Sequence, residues 1–419
     1  MAGLDPRGAV RRLLVTHLDP AGIERARLFP TARIAHVLGE GFTASVSSAA
    51  FFTPGDVAVD AVGTDAVIGD LLLMPDASRL RLLDAETGLW HAPADLRELD
   101  GAAPFVGCGR ESLRRAVGAL GEAGVTARAG FELEFTVSRG DDATPAHSGP
   151  AYGQRPLLVN EDFALQVLGA LEHAGVAVQH LHAEHGDGQF ELALAPQDPL
   201  AAADDYLLSR LVVERCALRA GVSAHFDPIP PAGAAANGMH IHLSLQRGGV
   251  PLFASGDGIP PAGLSAIAGI LDAMPALTAL LSASELSYQR PRPGRWSGAV
   301  ACWGPGNREA AIRYVPAFDG DPSSANIEIK PGDATAHPHI ALAGIMHAAL
   351  DGLRRSAIAP PPLTISPGHL SDEERATVAP PLPSTLGVAL AALDGGRMLR
   401  TGLGDDLVDL YIAVRTPRG

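Results

Sequence analysis

The chain has 419 residues, 47% of them hydrophobic, with a formal net charge of −15 and a pI near 5.4. That is enough apolar matter for two or three packed domains. The acidic balance argues against nucleic acid as a partner, and the opening Met-Ala-Gly-Leu-Asp-Pro-Arg lacks the apolar stretch of an export signal. No uncharged apolar run reaches membrane-spanning length. The three cysteines, Cys108, Cys216 and Cys302, are too far apart and too few for a zinc spacing or a disulfide framework. A soluble, cytoplasmic protein with no membrane or nucleic-acid partner is expected.

In chain order, Arg11 to His17, Val57 to Val62 and Leu71 to Met74 have the composition of short strands. Thr31 to Leu38 has helical spacing, with Thr31 as an N-cap candidate just after Pro30. Residues 1–104 therefore form a small α+β domain, closed by the glycine-bearing stretch Gly101 to Gly109, and residues 105–419 a second, larger one. Glu111 to Ala123, Asp162 to Ala174, Pro199 to Ala220 and Pro338 to Arg354 read as helices. Residues 138–155 read as a polar loop, and Pro291-Arg292-Pro293-Gly294-Arg295 as a basic loop that regular structure excludes. Proline clusters at 360–362 and 380–383 frame a tail expected to be helical and peripheral. No internal repeat is present.

Between these helices lie short runs in which acids or histidines alternate with apolar residues. In Phe131-Glu132-Leu133-Glu134-Phe135 a strand would place both glutamates on one face and the three apolar side chains on the other. Met239-His240-Ile241-His242-Leu243-Ser244 repeats the pattern with His240, His242 and Ser244 on one face. Glu184 to Glu191 and Ile327-Glu328-Ile329 add three more glutamates, Glu184, Glu191 and Glu328. Either pair alone is ordinary: charge on a strand is usually solvated, and paired histidines often bond structurally. Together, carboxylates directed into a packed sheet repel one another and lose hydration, which divalent cations would relieve. Oxygen donors with one imidazole suit Mg²⁺ or Mn²⁺, and two such ions suit phosphoryl transfer. Arg290, Arg308 and Arg313 are candidates for binding carboxylate or phosphate, against the plainer reading of surface ion pairs.

These stretches, in this order, resemble the glutamine synthetase family over nearly the whole chain. The resemblance is carried by Leu73-Met74-Pro75-Asp76, Glu132-Leu133-Glu134, Glu184 to Glu191, Asn237-Gly238-Met239-His240-Ile241-His242, Asn307-Arg308 through Arg313, Ile327-Glu328-Ile329-Lys330 and Gly404 to Ala413. It implies an amino-terminal β-grasp domain and a catalytic domain built on an open, funnel-like antiparallel sheet. It also implies a homo-oligomer of hexameric rings stacked as a dodecamer, and a reaction in which ATP phosphorylates the γ-carboxylate of glutamate before an amine displaces phosphate. Carried over by position, Glu134, Glu184 and Glu191 would hold one Mg²⁺ or Mn²⁺, and Glu132, His240 and Glu328 a second. His242 and Ser244 would contact the nucleotide, Arg308 and Arg313 the transferring phosphoryl group, and Arg290 and Gly238 the glutamate.

The chain also departs from that pattern. Ammonia-using members carry an aspartate after the Gly-Phe of the small domain, where this chain has Thr43, and a glutamate on the flap after Pro-Gly, where Pro293-Gly294-Arg295 leads to Trp296. An aromatic ring suits a substituted amine, by apolar contact and a cation–π term of roughly 0.5–2 kcal/mol. The expected product is a γ-glutamyl amide of an organic amine such as ethanolamine, a small alkylamine or a polyamine. Ala235-Ala236 replace a glutamate-contacting Asn-Gly, and Lys330 replaces an arginine, losing its bidentate fork. His337-Pro338-His339 stands where Asn-Pro-Tyr is usual, read as packing variation. Three alternatives fit parts of the pattern: an ordinary glutamine synthetase, a non-catalytic scaffold, and a ligase or amidohydrolase acting on another acid. Only Tyr314 and Tyr411 follow residue 300, so regulation by adenylylation is not expected.

Overall fold

A computed structural model describes residues 10–101, 103–140, 142–231, 235–254, 258–290, 296–318 and 320–417. The basic loop at 291–295 lies outside them. The chain divides into two compact units, one of Met1–Ser112, Leu168–Ala177 and Asp405–Gly419, the other of Leu113–Val167 and Val178–Gly404.

The smaller unit is a mixed sheet of β1 (Arg12–Leu18), β2 (Glu24–Pro30), β3 (Phe42–Ser45), β4 (Asp70–Pro75), β5 (Arg81–Asp84) and β6 (Leu89–Arg97). Its order is β2-β1-β6-β4-β3, with β5 added on β6; β1 and β6 run parallel and the other pairs antiparallel. Alternation buries Leu13 and Val15 of β1 and Leu71 and Leu73 of β4, and the helix Thr31–Glu40 adds Ile34 and Val37 to the same core. Thr31 is the first helical residue rather than the cap. Pro30 occupies the cap position, and the Thr31 hydroxyl donates to the Arg11 carbonyl at 2.6 Å. Residues 57–62 form no strand: isolated bridges at Ala58 and Ala61 are all the pairing there, and Val62 (φ 48°) and Gly63 (φ 75°) turn the chain. Asp76 of the Pro75-Asp76 segment shares Arg110 with Asp95 and accepts from the Ser78 amide.

The tail is helical, but its end is not peripheral. The helix Asp405–Arg415 buries Leu407, Leu410, Tyr411 and Val414, spaced for one helical face, and Leu410 and Val414 belong to the core of the small unit.

The larger unit carries a sheet of β7 (Val125–Arg139), β8 (Thr144–Pro145), β9 (Val178–Ala183), β10 (Gln189–Leu194), β11 (Ser223–His225), β12 (Met239–Arg247), β13 (Val250–Pro251), β14 (Val300–Pro305), β15 (Ala310–Val315) and β16 (Asn326–Ile329). The main order is β14-β15-β16-β12-β7-β10-β9, antiparallel throughout except for the parallel β14–β15 pair. The α+β class and antiparallel sheet expected from the sequence are present. Residues 138–155 are less open than expected, since β7 continues to Arg139, pairs with β8, and a short helix starts at Gln154.

One face of this sheet is apolar. Phe131, Leu133 and Phe135 of β7 and Met239, Ile241 and Leu243 of β12 are fully buried, and the Phe131 ring meets Tyr206 of the helix Pro199–Ala220 at 5.0 Å between centroids. That helix is delimited as its ends dictate: the Asp198 side chain caps the amides of Leu200 and Ala201, Pro199 takes the first position, and Gly221 closes it at φ 67°. His339 of the helix Pro338–Arg354 reaches Asp204 of the same helix at 2.9 Å, both buried. The helix Pro261–Leu281 is, among the described residues, the one long and apolar enough to cross a membrane, yet 83% of its apolar window is buried in the protein. It crosses Pro338–Arg354 so closely that a Cβ on Gly269 would meet the Ala348 carbonyl oxygen at 2.2 Å.

Candidate active site

The opposite face of the sheet is polar, and its register assembles most of the acids and histidines singled out above; Glu184 lies just past the end of β9, outside the register and outside the donor group of Glu134 and Glu191. Glu132 pairs with His240, Glu134 with Glu191, His242 with Glu328, and Arg313 with Glu328. Each of these residues alternates with an apolar neighbour on its strand, so burying the apolar set aims the polar set the other way. His240 Nδ1 stands 3.0 Å from Glu132 Oε2 and 3.4 Å from Glu328 Oε1, and its Nε2 stands 3.7 Å from Glu134 Oε1. His242 Nε2 is 3.1 Å from Glu132 Oε1, while its Nδ1 meets Asn326 Oδ1 at 2.8 Å. Two donor groups result, each with ligand atoms within 4.8 Å of one another: Glu132, His240 and Glu328, and Glu134, Glu191 and His240.

The electrostatics show strong crowding. Burial and the charges of Glu132, Glu134 and Glu184 push Glu191 up to about 9. Glu328 is almost wholly buried, which opposes ionisation, but Lys330, His240 and His242 outweigh this and hold it at about 2. Burial likewise opposes charging of His242, and the Glu132 carboxylate overrides it, raising His242 to about 9. A buried carboxylate that cannot ionise beside three others is what a divalent cation corrects, and the donor set of oxygens with one shared imidazole fits Mg²⁺ or Mn²⁺.

The cationic candidates occupy different settings. Arg313 Nη1 donates to Glu328 Oε2 at 2.9 Å, and Lys330 Nζ to Glu328 Oε1 at 2.8 Å. Arg290 is buried and donates through Nη2 to the Lys330 carbonyl at 3.1 Å. Arg308 is exposed in the turn between β14 and β15, where its charge is felt by Tyr152. Ser244 donates to the Ala325 carbonyl. Gly238 donates its amide to Glu134 Oε2 at 2.7 Å, and a Cβ there would stand 2.7 Å from Arg290 Nη2.

Several contributors escape a reading of the sequence. Tyr152 Oη donates to Glu184 Oε1 at 2.8 Å, and His182 Nε2 meets Glu184 Oε2 at 2.9 Å, with the two rings stacked. Gln189 is a buried hub: its amide reaches the Ala236 carbonyl and Asn237 Oδ1, and its oxygen accepts from Gly186. Asn237, fully buried, accepts from Thr136 and donates to the carbonyls of His225 and Asp227, which fixes the approach to Gly238. The alternation rule finds strand residues facing a site; it carries no signal for a tyrosine in an irregular segment or an amide paired 48 positions away.

Trp296 is half-exposed, with φ 54° and its amide donating to the buried Glu309 carboxylate at 2.9 Å; its ring lies 6.2 Å from that of His185. Tyr152 has φ 58°. Left-handed backbone on a bulky residue costs on the order of 1–3 kcal/mol and concentrates at functional sites. Thr43 lies in the smaller unit, exposed on β3, its carbonyl accepting from Arg27.

The pattern of this polar face has a counterpart among known proteins: residues 106–417 match the family model for the glutamine synthetase catalytic domain. The chain belongs to the glutamine synthetase family. Its members are ATP-dependent carbon–nitrogen ligases, and this chain is a glutamine synthetase-type enzyme. It is 39% identical to a γ-glutamylpolyamine synthetase, GlnA3, of Streptomyces coelicolor, over 97% of this chain and 89% of the relative. It is 31% identical to a glutamine synthetase of Methanocaldococcus jannaschii over 83% of this chain and 78% of that one. A crystal structure described as a novel glutamine synthase homolog superposes with a TM-score of 0.84 at 31% identity, covering 99% of this chain and 95% of the other. A GmaS–ADP complex follows at 0.82 and 25% identity, covering 97% and 92%.

Proposed function

We propose that this glutamine synthetase-type enzyme joins the γ-carboxylate of glutamate to an organic amine rather than to ammonia, through a γ-glutamyl phosphate formed from ATP. Polyamines are the first class to test. The observation that supports the reading is Trp296: a large ring, in left-handed backbone and 6.2 Å from the His185 ring, occupies the sequence position where the family resemblance implies an ammonium-binding carboxylate. Thr43 leaves the second such position uncharged as well. The similarity to a γ-glutamylpolyamine synthetase supports the same conclusion.

In this reading Glu134, Glu184 and Glu191 hold one divalent cation and Glu132, His240 and Glu328 the other. Bound there, the cations supply neutralisation of the phosphate charges and of the developing leaving group. Arg308 and Arg313 add positive charge around the transferring phosphoryl oxygens, while His242 and Ser244 flank the nucleotide. Arg290, pinned to the Lys330 carbonyl, and the side-chain-free backbone at Gly238 receive the acid. Lys330 restrains Glu328 more than it reaches outward. Tyr152 and His182 clamp the Glu184 carboxylate by one oxygen each, which fixes its orientation. The side-chain-free approach at Gly238 lets acid, cation ligands and Arg290 stand within a few ångströms of each other. We further propose that subunits form hexameric rings stacked as a dodecamer, which native mass spectrometry would read directly.

The test is phosphate release by the purified protein with ATP, Mg²⁺ or Mn²⁺ and glutamate, across ammonia, ethanolamine, isopropylamine, putrescine and spermine, with products confirmed by mass. Turnover with an organic amine well above that with ammonia is expected. Faster turnover with ammonia than with every organic amine would refute the proposal.

A further inference from the structure

We propose that the edge of the sheet carries a further metal site, built from His180, His182 and Glu191, that takes a nitrogen-preferring ion of the Zn²⁺ class. His180 and His182 are two residues apart on β9, the edge strand, and so project from the same face. Register places His182 beside Glu191 and His180 beside Ala193 on β10. The three side chains offer one ligand atom each, all within 4.8 Å of one another, and the two imidazole rings are 5.3 Å apart. His182 Nε2 stands 3.9 Å from Glu191 Oε1, a span that two donors each about 2.1 Å from an ion can close.

The donor set differs in kind from its neighbours. The groups assigned to the catalytic cations offer carboxylate oxygens with a single imidazole, which suits hard ions; two imidazoles and one carboxylate suit Zn²⁺, with affinity rising along the first-row series. Three protein ligands leave a fourth position, and exposed His180 opens it to solvent. The surroundings restrain the ring by stacking: Tyr152 packs its ring on His182 and holds Glu184 by one oxygen, while the 2.9 Å contact of His182 Nε2 with Glu184 Oε2 is exchanged for the ion when that nitrogen ligates it. Glu191 belongs to both this group and the group proposed for the first catalytic cation. An ion bound at the edge therefore competes for Glu191, and Zn²⁺ lowers ligation even when Mg²⁺ is in excess.

The site itself does not depend on the ligase reading, because the deciding experiment counts ions. Full-length protein and its His180→Ala variant are dialysed against Mg²⁺ in large excess with micromolar Zn²⁺, and zinc per subunit is measured by elemental mass spectrometry. Cobalt substitution reports imidazole ligation through its visible absorption. The wild type is expected to retain one zinc per subunit more than His180→Ala, whose affinity falls at least tenfold, and His180→Cys restores the missing ion. Because Glu191 is shared, the Mg²⁺ excess is set high enough to keep zinc out of the catalytic positions in His180→Ala, and the two-imidazole cobalt spectrum identifies the edge ion by its ligands as well as by its count. Equal zinc content in wild type and His180→Ala overturns the proposal, as does a loss that His180→Cys leaves uncorrected.

Discussion

Gly238→Ala isolates close approach from every other property of the site. The glycine has an ordinary backbone conformation, so alanine introduces one methyl group and no backbone strain. That methyl would stand 2.7 Å from Arg290 Nη2, 3.1 Å from His240 Nε2 and 3.3 Å from Glu134 Oε1. Ordinary contact begins near 3.4 Å, so the Arg290 guanidinium must move by the difference from 2.7 Å, 0.7 Å. Arg290 is buried and tied to the Lys330 carbonyl, so the movement is transmitted rather than absorbed in solvent. A misplacement near 1 Å costs about 10²-fold in rate, whereas the strain in folding is on the order of 1 kcal/mol. Steady-state kinetics with glutamate as the varied substrate should therefore show kcat/KM down by about 10²-fold, with the melting temperature lowered by only a few degrees. A variant within threefold of wild type in kcat/KM for glutamate would refute the placement of Arg290 and Gly238 at the acid.

Trp296→Glu restores a carboxylate at the flap and should raise the ratio of ammonia to organic-amine turnover by at least tenfold, read in the same phosphate-release assay; an unchanged ratio would remove Trp296 from the amine pocket. Glu328→Gln leaves Lys330 buried without its charged partner, at a cost of roughly 3 kcal/mol, and should also abolish one divalent cation per subunit by equilibrium dialysis. Gly269→Leu drives side-chain atoms into the Ala348 carbonyl, so no soluble folded protein is expected, as expression and circular dichroism would reveal. Burial, with Arg25 and Arg27 nearby, lowers His17 in the small unit to about 4. Its neutral form is the one the fold prefers, so the stabilisation is complete above the unfolded value of 6.5 and is lost as pH falls from 6.5 towards 4. The amount is at most about 3 kcal/mol. His17→Gln should flatten urea stability across that interval; an unchanged slope would place the titration elsewhere.

The polar face was legible because strand alternation is a local code. Phe131 to Phe135 and Met239 to Ser244 state in six residues or fewer which side is core and which is site, and the helix Pro338–Arg354 is bounded as its sequence suggests. The clamp on Glu184 was not legible: Tyr152 lies 32 positions away in irregular backbone, and nothing local marks its hydroxyl as a donor to that carboxylate. The end of the chain misled for a related reason. Flanking prolines suggest an appendage, whereas what decides burial is whether Leu410 and Val414 find the core formed by strands near the amino terminus. Val57 to Val62 has strand composition, but the left-handed turn at Val62 and Gly63 ends pairing after single bridges.

The register of β12 against β7 and β16 has a consequence for how this protein fails. His240 and His242 face the site only while Met239, Ile241 and Leu243 face the core, because one alternation assigns both sets. A slip of one residue would turn imidazoles inward and three large apolar side chains outward together. Folding errors at this strand therefore yield no dim but soluble enzyme; they yield insoluble protein. In a library of β12 variants, catalytic output per soluble subunit should be bimodal, and a simple solubility screen would sort competent sites from broken ones without an assay of the chemistry.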